Sequence, residues 1–425
     1  MKIRISKLVY WLFIVALLIN CRFFYMYYVN PIYGLLITLA TVAIIWFVES
    51  RHNHQKVVDD YFSRLPFIRK ICIVTIIIFV AFLGLSKMRY SGQSFMQTFA
   101  GETAQYSILL VLLAYPLIKI SNQKGGIKWI FDLMNIFSAI LYILVFAQFV
   151  LYNINGRVFL PYYSNSTELI ILRGSLRISL SWFGNFMIVY NFYMFYREKQ
   201  GSSSLGLVHV LLFLIGLTDC LLVERVRGVT WVITVCIVYI VLSDRNTARG
   251  FWKKIIALIV VAIGLFGTDI ASNFISSMSV YAERGYSTTA RLYAIDYYWN
   301  VFKQNPLFGF GYADGSVYYS LVHGNGMANI SDIGIFGQMA KYGVFVIPIY
   351  IFPLVRAIVK TYKTRKSSVV KDFPLYFSFS LYVLLTSLTY MVTSAQSLII
   401  LWPVYLVVME YVITAASHRV EIAEP

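Results

Sequence analysis

The chain has 425 residues, of which 59% are apolar and only 13% charged, and it carries a net charge of +17. A soluble protein of this size has about a quarter of its residues charged, so too little polar surface exists here to cover a globule in water. That excludes a soluble enzyme, a secreted disulfide scaffold and a disordered adaptor. The positive charge sits in short clusters between apolar runs, which is the pattern of loops in a polytopic membrane protein and not of a nucleic-acid surface.

A helix needs ~20 apolar residues to cross the ~30 Å hydrocarbon core. Twelve runs meet that length approximately: 8–28, 31–48, 70–87, 105–121, 128–152, 178–196, 206–223, 229–243, 252–268, 338–357, 373–392 and 397–416. Nothing alternates as a membrane barrel would. The first run follows Lys2, Arg4 and Lys7, and Leu18-Ile19-Asn20-Cys21 resembles a lipobox. No small-x-small cleavage site is present and aromatic residues continue through Tyr28, so the run reads as an uncleaved span. Cys21, Cys72, Cys220 and Cys236 all lie in or beside apolar stretches without CxxC pairing, and no disulfide or metal site is expected of them. The fold class is therefore an all-α integral membrane protein with about 12 transmembrane helices, one polytopic domain over 1–425. A long extracytoplasmic loop, 269–337, precedes the tenth span.

Twelve spans put both termini on one side. With the termini in the cytoplasm, the inside segments hold 24 Lys plus Arg and the outside segments 11, with Lys341 near the outer end of the tenth span. This follows the positive-inside rule of the plasma (inner) membrane. Nine of the 11 outside cations are arginine: Arg22, Arg89, Arg157, Arg173, Arg177, Arg225, Arg227, Arg284 and Arg291. Lysine would serve topology equally well. Guanidinium forks bind phosphate and carboxylate bidentately and keep their charge in a low dielectric. The arginines are either chance composition or an outward-facing site for an anionic ligand.

In chain order, the loop 153–177 ends in Leu172-Arg173-Gly174-Ser175-Leu176-Arg177, where the two arginines share a face if the segment is helical. Glu224-Arg225-Val226-Arg227-Gly228 forms a tight external turn between two apolar helices. Arginines there are costly unless they snorkel, pair or line a watery cavity. In the long loop, Ser287 or Thr288 can cap a helix, and Leu292, Ile295, Trp299 and Phe302 then recur at helical spacing until Asn305-Pro306. Arg284 and Arg291, seven apart, share a face if that helix begins early. Gly309-Phe310-Gly311 follows a helix and a proline, not a strand, so it reads as a tight turn with backbone NH groups available and not as a nucleotide fingerprint. His323 is the only external histidine, and Asp332 is placed to cap the helix leading into the tenth span.

Arg291-x7-Trp299-x6-Pro306-Leu-Phe-Gly309-Phe-Gly311, then His323, then Asp332-x-Gly334-x2-Gly337-x5-Gly343, resembles the O-antigen ligase and polymerase superfamily. Arg227-Gly228 resembles that family's Ser-Arg-Gly element, with Val226 in place of the serine. The resemblance implies a glycosyltransferase without cofactor or metal that joins polyprenyl-pyrophosphate-linked oligosaccharide units at the outer membrane face. It implies pyrophosphate contacts from Arg227 and Arg291, with Arg173, Arg177, Arg225 and Arg284 as further cationic candidates. His323 or Asp332 would be the base. Gly324 intervenes between His323 and Asn325, and Ser331-Asp332 sits in a polymerase-like position, so a repeat-unit polymerase is favoured over a ligase. Expected partners are the lipid-linked oligosaccharide, membrane lipids, a chain-length regulator and a flippase, with no nucleic acid. A lipid-linked glycan flippase or other transporter is the competing class, but such proteins often show inverted repeats, and none is visible.

Overall fold

The computed structural model describes residues 5–21, 31–52, 66–101, 105–121, 125–158, 171–172, 175–176, 178, 180–198, 205–224, 226–243, 285–324, 326, 328–365, 372–388 and 400–418. These residues are helical apart from turns and one two-residue ladder. In order they form α1 (Ile5–Asn20), α2 (Pro31–His52), α3 (Pro66–Arg89), α4 (Phe95–Ala100), a 3₁₀ stretch Gln105–Leu113 running into α5 (Ala114–Ser121), and α6 (Gly126–Asn155). There follow α7 (Trp182–Glu198), α8 (Leu205–Asp219) with a π turn Cys220–Glu224, α9 (Val226–Ser243), α10 (Gly285–Gln304), α11 (Tyr319–His323) and a 3₁₀ turn Ile330–Ile333. The chain closes with α12 (Gly334–Tyr342), α13 (Phe352–Thr364), α14 (Phe373–Ser387) and α15 (Leu401–His418).

Every predicted run carries a helix except 252–268, which lies outside the described residues. Among the described residues, three helical stretches, Phe67–Arg89, Gly126–Asn155 and Gly206–Val223, are long and apolar enough to cross a membrane unaided. The chain is membrane-embedded. The tenth run differs from the straight span expected. Ile330–Phe345 and Ile347–Thr364 meet at 113°. The break has local causes. Gly343 adopts φ +57° at the end of α12, and Pro348 and Pro353 each withdraw a backbone donor in the turns that follow. Pro116 acts likewise at the 3₁₀-to-α junction of 105–121.

Two ion pairs tie one end of the bundle. Arg356 on α13 grips Glu410 on α15 bidentately, with its guanidinium 3.6 Å from the centre of the Phe67 ring on α3. Tyr193 on α7 donates to Asp372 at 2.5 Å, and Arg197 approaches the same carboxylate at 3.8 Å. Tyr382, far along α14, bonds the carbonyl of Trp182 at the start of α7, so α7 and α14 run antiparallel. The four cysteines are buried free thiols.

Candidate functional site

The described part of the segment read as a long loop, from residue 285 onward, is folded. A second, smaller core gathers Ala294, Tyr298 and Val301 of α10 with Phe310, Ala313, Val322, Ala328, Ile330, Ile333 and Ala340. It also includes Tyr90, from the end of α3. The packed face of α10 is therefore the 294/298/301 stripe, one residue around from the predicted 292/295/299/302 stripe. Leu292 and Trp299 are exposed. Tyr298 decides the register, because its hydroxyl bonds the carbonyl of Val322 inside the core. The helix starts at Gly285, ahead of the predicted caps, and ends at Gln304 as Asn305-Pro306 requires.

The glycine turn does adopt the left-handed conformations expected of it, with φ +60° at Gly309 and +73° at Gly311. Its NH groups are not available, however. Gly309 donates to Asn305 O, Phe310 to Ala340 O and Gly311 to Lys341 O, all within 2.9 Å. The turn is instead a clasp between α12 and α3. Arg89 and Tyr90 bond the carbonyls of Gly309 and Phe310 at 3.1 and 2.7 Å. Ser86 Oγ accepts from Tyr312 N at 2.8 Å, and Gln93 accepts from Asp314 N while donating to Tyr312 O. Ser86 and Gln93 were not singled out from the sequence, and nothing in their local pattern marks them. Burial raises the phenols of Tyr90 and Tyr312 above the ordinary tyrosine value, so both stay neutral. A Cβ on Gly311 would lie 2.6 Å from Ser86 Oγ, in a backbone conformation that disfavours it. Gly311→Ala is expected to cost about 1–3 kcal/mol and to lower the thermal midpoint of the detergent-solubilised protein by at least a few degrees. An unchanged midpoint would show that the clasp does not tie these segments together.

His323 is the last residue of α11, half-buried, with its ring 4.8 Å from that of Tyr319. Gly324 closes the helix at φ +50°, and Gly326 N and Ala328 N both donate to the His323 carbonyl at 3.0 and 2.9 Å. Asp332 lies in the 3₁₀ turn Ile330–Ile333. It is not the cap predicted. Asn329 caps instead, its Oδ1 accepting from Ser331 N at 3.1 Å and its amide reaching Asp332 Oδ2 at 3.4 Å. The cap is three residues earlier because the 3₁₀ turn, not α12, begins the element. Arg291 shares a helix face with Ala294 and Tyr298 and is half-buried. The structure thus places Arg291, His323 and Asp332 in one folded unit, since α10 packs on both the 3₁₀ turn and α12.

The other predicted cations are not brought to that unit by any described contact. Arg227 falls in the first turn of α9. Arg173, Arg177, Arg225 and Arg284 lie outside the described residues. Of the residues between and beside Arg173 and Arg177, Ile171–Leu172 and Ser175–Leu176 are extended and not helical, and pair antiparallel.

Residues 210–351 match the family described as O-antigen ligase. The match runs from α8 through the folded 285–345 unit to the broken tenth run, and it bears out the resemblance carried by 225–345. No curated protein matches the chain.

Proposed function

We propose that the chain is a repeat-unit polymerase. It joins polyprenyl-pyrophosphate-linked oligosaccharides into a surface polysaccharide (O-antigen, capsule or exopolysaccharide) on the outer face of the plasma membrane. The family match supports glycan assembly from a lipid-linked substrate. The observation that supports this reading is the small core on which α10 and the segment 319–334 pack, since those elements carry Arg291, His323 and Asp332.

In this reading twelve spans cross the membrane with both termini inside, and 269–337 faces out. The packing of the described residues supports which segments share a side. Segments 89–97 and 309–316, read as external, are bonded to each other, and segments read as internal meet through Arg197 and Asp372.

The reaction needs three things. A hydroxyl of the acceptor sugar must lose its proton as it attacks the anomeric carbon, and His323 or Asp332 takes that proton. The bond from that carbon to the pyrophosphate oxygen breaks, and Arg291 and Arg227 offset the charge left on the departing diphosphate. The leaving group is already activated, so the chain's residues have only to position the substrates, take the proton and offset the departing charge. Arg173, Arg177, Arg225 and Arg284 belong to the same cationic approach. A flippase and a chain-length regulator are the natural partners of such a reaction.

The sidedness is testable at Ser316, which is exposed beside the glycine turn. Ser316→Cys is expected to react with a membrane-impermeant maleimide in intact cells. Labelling only after permeabilisation would put the unit in the cytoplasm and remove the mechanism.

A further inference from the structure

The folded unit presents a second kind of surface beside His323. On α10, Tyr293, Asp296, Tyr297 and Asn300 follow one another at i, i+3, i+4 and i+7, so they share a face. That face is not the one bearing Arg291, which lies two residues, about 200°, from Tyr293 around the helix. Tyr293 is 40% exposed and Tyr319, on α11, 57%. Asp296 and Asn300 are exposed as well. The Tyr293 and Tyr297 rings are nearly parallel, at 15° and 6.4 Å. Their hydroxyls donate to carbonyls on either side of His323: Tyr293 to Gly324 at 3.4 Å, Tyr297 to Ser320 at 2.7 Å and Leu321 at 3.1 Å. These rings are fixed in orientation, so a ligand does not have to order them.

Exposed tyrosine rings beside a carboxylate match one ligand chemistry closely. A pyranose ring has an apolar face of C–H groups, which stacks on an aromatic ring, and a rim of hydroxyls, which donate to carboxylate and amide oxygens. The negative charge of Asp296 disfavours a diphosphate here but suits neutral sugar hydroxyls. The Tyr319 ring beside His323 places such a sugar next to the candidate base.

We propose that Tyr293, Asp296 and Tyr319 form a binding platform for the acceptor saccharide, on the side of His323 away from the arginine that meets the pyrophosphate. This rests on the polymerase reading and names the half of the reaction the platform serves. Tyr297 frames the turn and does not contact the sugar.

The test uses full-length protein in nanodiscs and the repeat-unit oligosaccharide released from its lipid carrier by mild acid. Saturation-transfer NMR reads contact with sugar C–H protons, and titration gives Kd. A lost stacking partner is worth about 0.5–1.5 kcal/mol, which corresponds to a Kd weaker by roughly 2–13-fold. Tyr319→Leu and Tyr293→Leu are expected to weaken binding within that range and to reduce saturation transfer. Tyr319→Phe, which keeps the ring, should bind within about twofold of the unmodified protein. Asp296→Asn is expected to weaken binding several-fold without loss of saturation transfer. Thermal midpoints of the same samples separate these effects from misfolding, and Tyr319→Phe serves as the folded control. Leucine variants that bind as tightly as the unmodified protein would make the tyrosines membrane-interface anchors and overturn the proposal. So would absence of saccharide binding by the unmodified protein. Failure of the polymerase reading looks different: the unmodified protein would elongate no lipid-linked units, whatever its saccharide affinity.

Discussion

Arg291→Lys is expected to abolish most polymer while the protein still reaches the membrane at normal levels. Lysine keeps the charge, so topology is unaffected. It loses the planar fork that can hold two phosphate oxygens at once. The half-buried position of Arg291 on α10 sharpens the contrast, because a compact ammonium on a flexible stem is poorly suited to a fixed, partly desolvated contact. Hydrogen bonds to charged groups contribute about 1.5–3 kcal/mol, which predicts a rate lower by roughly 10–100-fold. Arg227→Lys, at the first turn of α9, is expected to behave in the same way. Polymer measured by gel ladder against an immunoblot of membrane protein decides the matter. Full activity in both lysine variants would reduce these arginines to topology signals.

His323→Ala is expected to stop elongation and leave single repeat units on the lipid carrier. A general base contributes ~10²–10⁴-fold, whereas binding of the donor diphosphate rests on the arginines and should survive. Asp332→Asn is the companion. Because Asn329 is the residue that caps, exchanging Asp332 for asparagine leaves the cap intact and removes only the ability to take a proton near neutral pH. A silent Asp332→Asn with an inactive His323→Ala assigns the base to His323. The reverse assigns it to Asp332. Normal polymer from both variants would exclude both, and the base would have to come from another group.

The parts of this fold that were legible in the sequence are those that a bilayer dictates. Apolar runs of span length announce themselves because hydrocarbon tolerates little else. The helix 285–304 was legible from its spacing and its proline stop, and the glycine turn from Gly309 and Gly311. Misread were features that depend on distant partners. The packed stripe of α10 is set by Tyr298 reaching the Val322 carbonyl, and counting large apolar residues chose Leu292 and Trp299 instead. The turn's NH groups look free in sequence but are taken by Asn305 and by α12, and its carbonyls by Arg89 and Tyr90 at the end of α3, over 200 residues away in the chain. The bend after Gly343 hides inside a run whose uncharged, largely apolar stretch 342–355 continues straight across it. His323, Asp332 and Arg291 stood out in the sequence by residue type, but that their elements pack on one small core was not legible there.

The most direct measurement of the central claim is elongation by the purified chain alone. The protein would be reconstituted into liposomes with the lipid-linked single repeat unit as the only saccharide, and the products resolved by size. The account predicts a ladder of lipid-linked oligomers rising by whole repeat units, with release of the polyprenyl pyrophosphate carrier. Transfer of single units to an added lipid acceptor of different chemistry, with no ladder, would contradict it and make the chain a ligase.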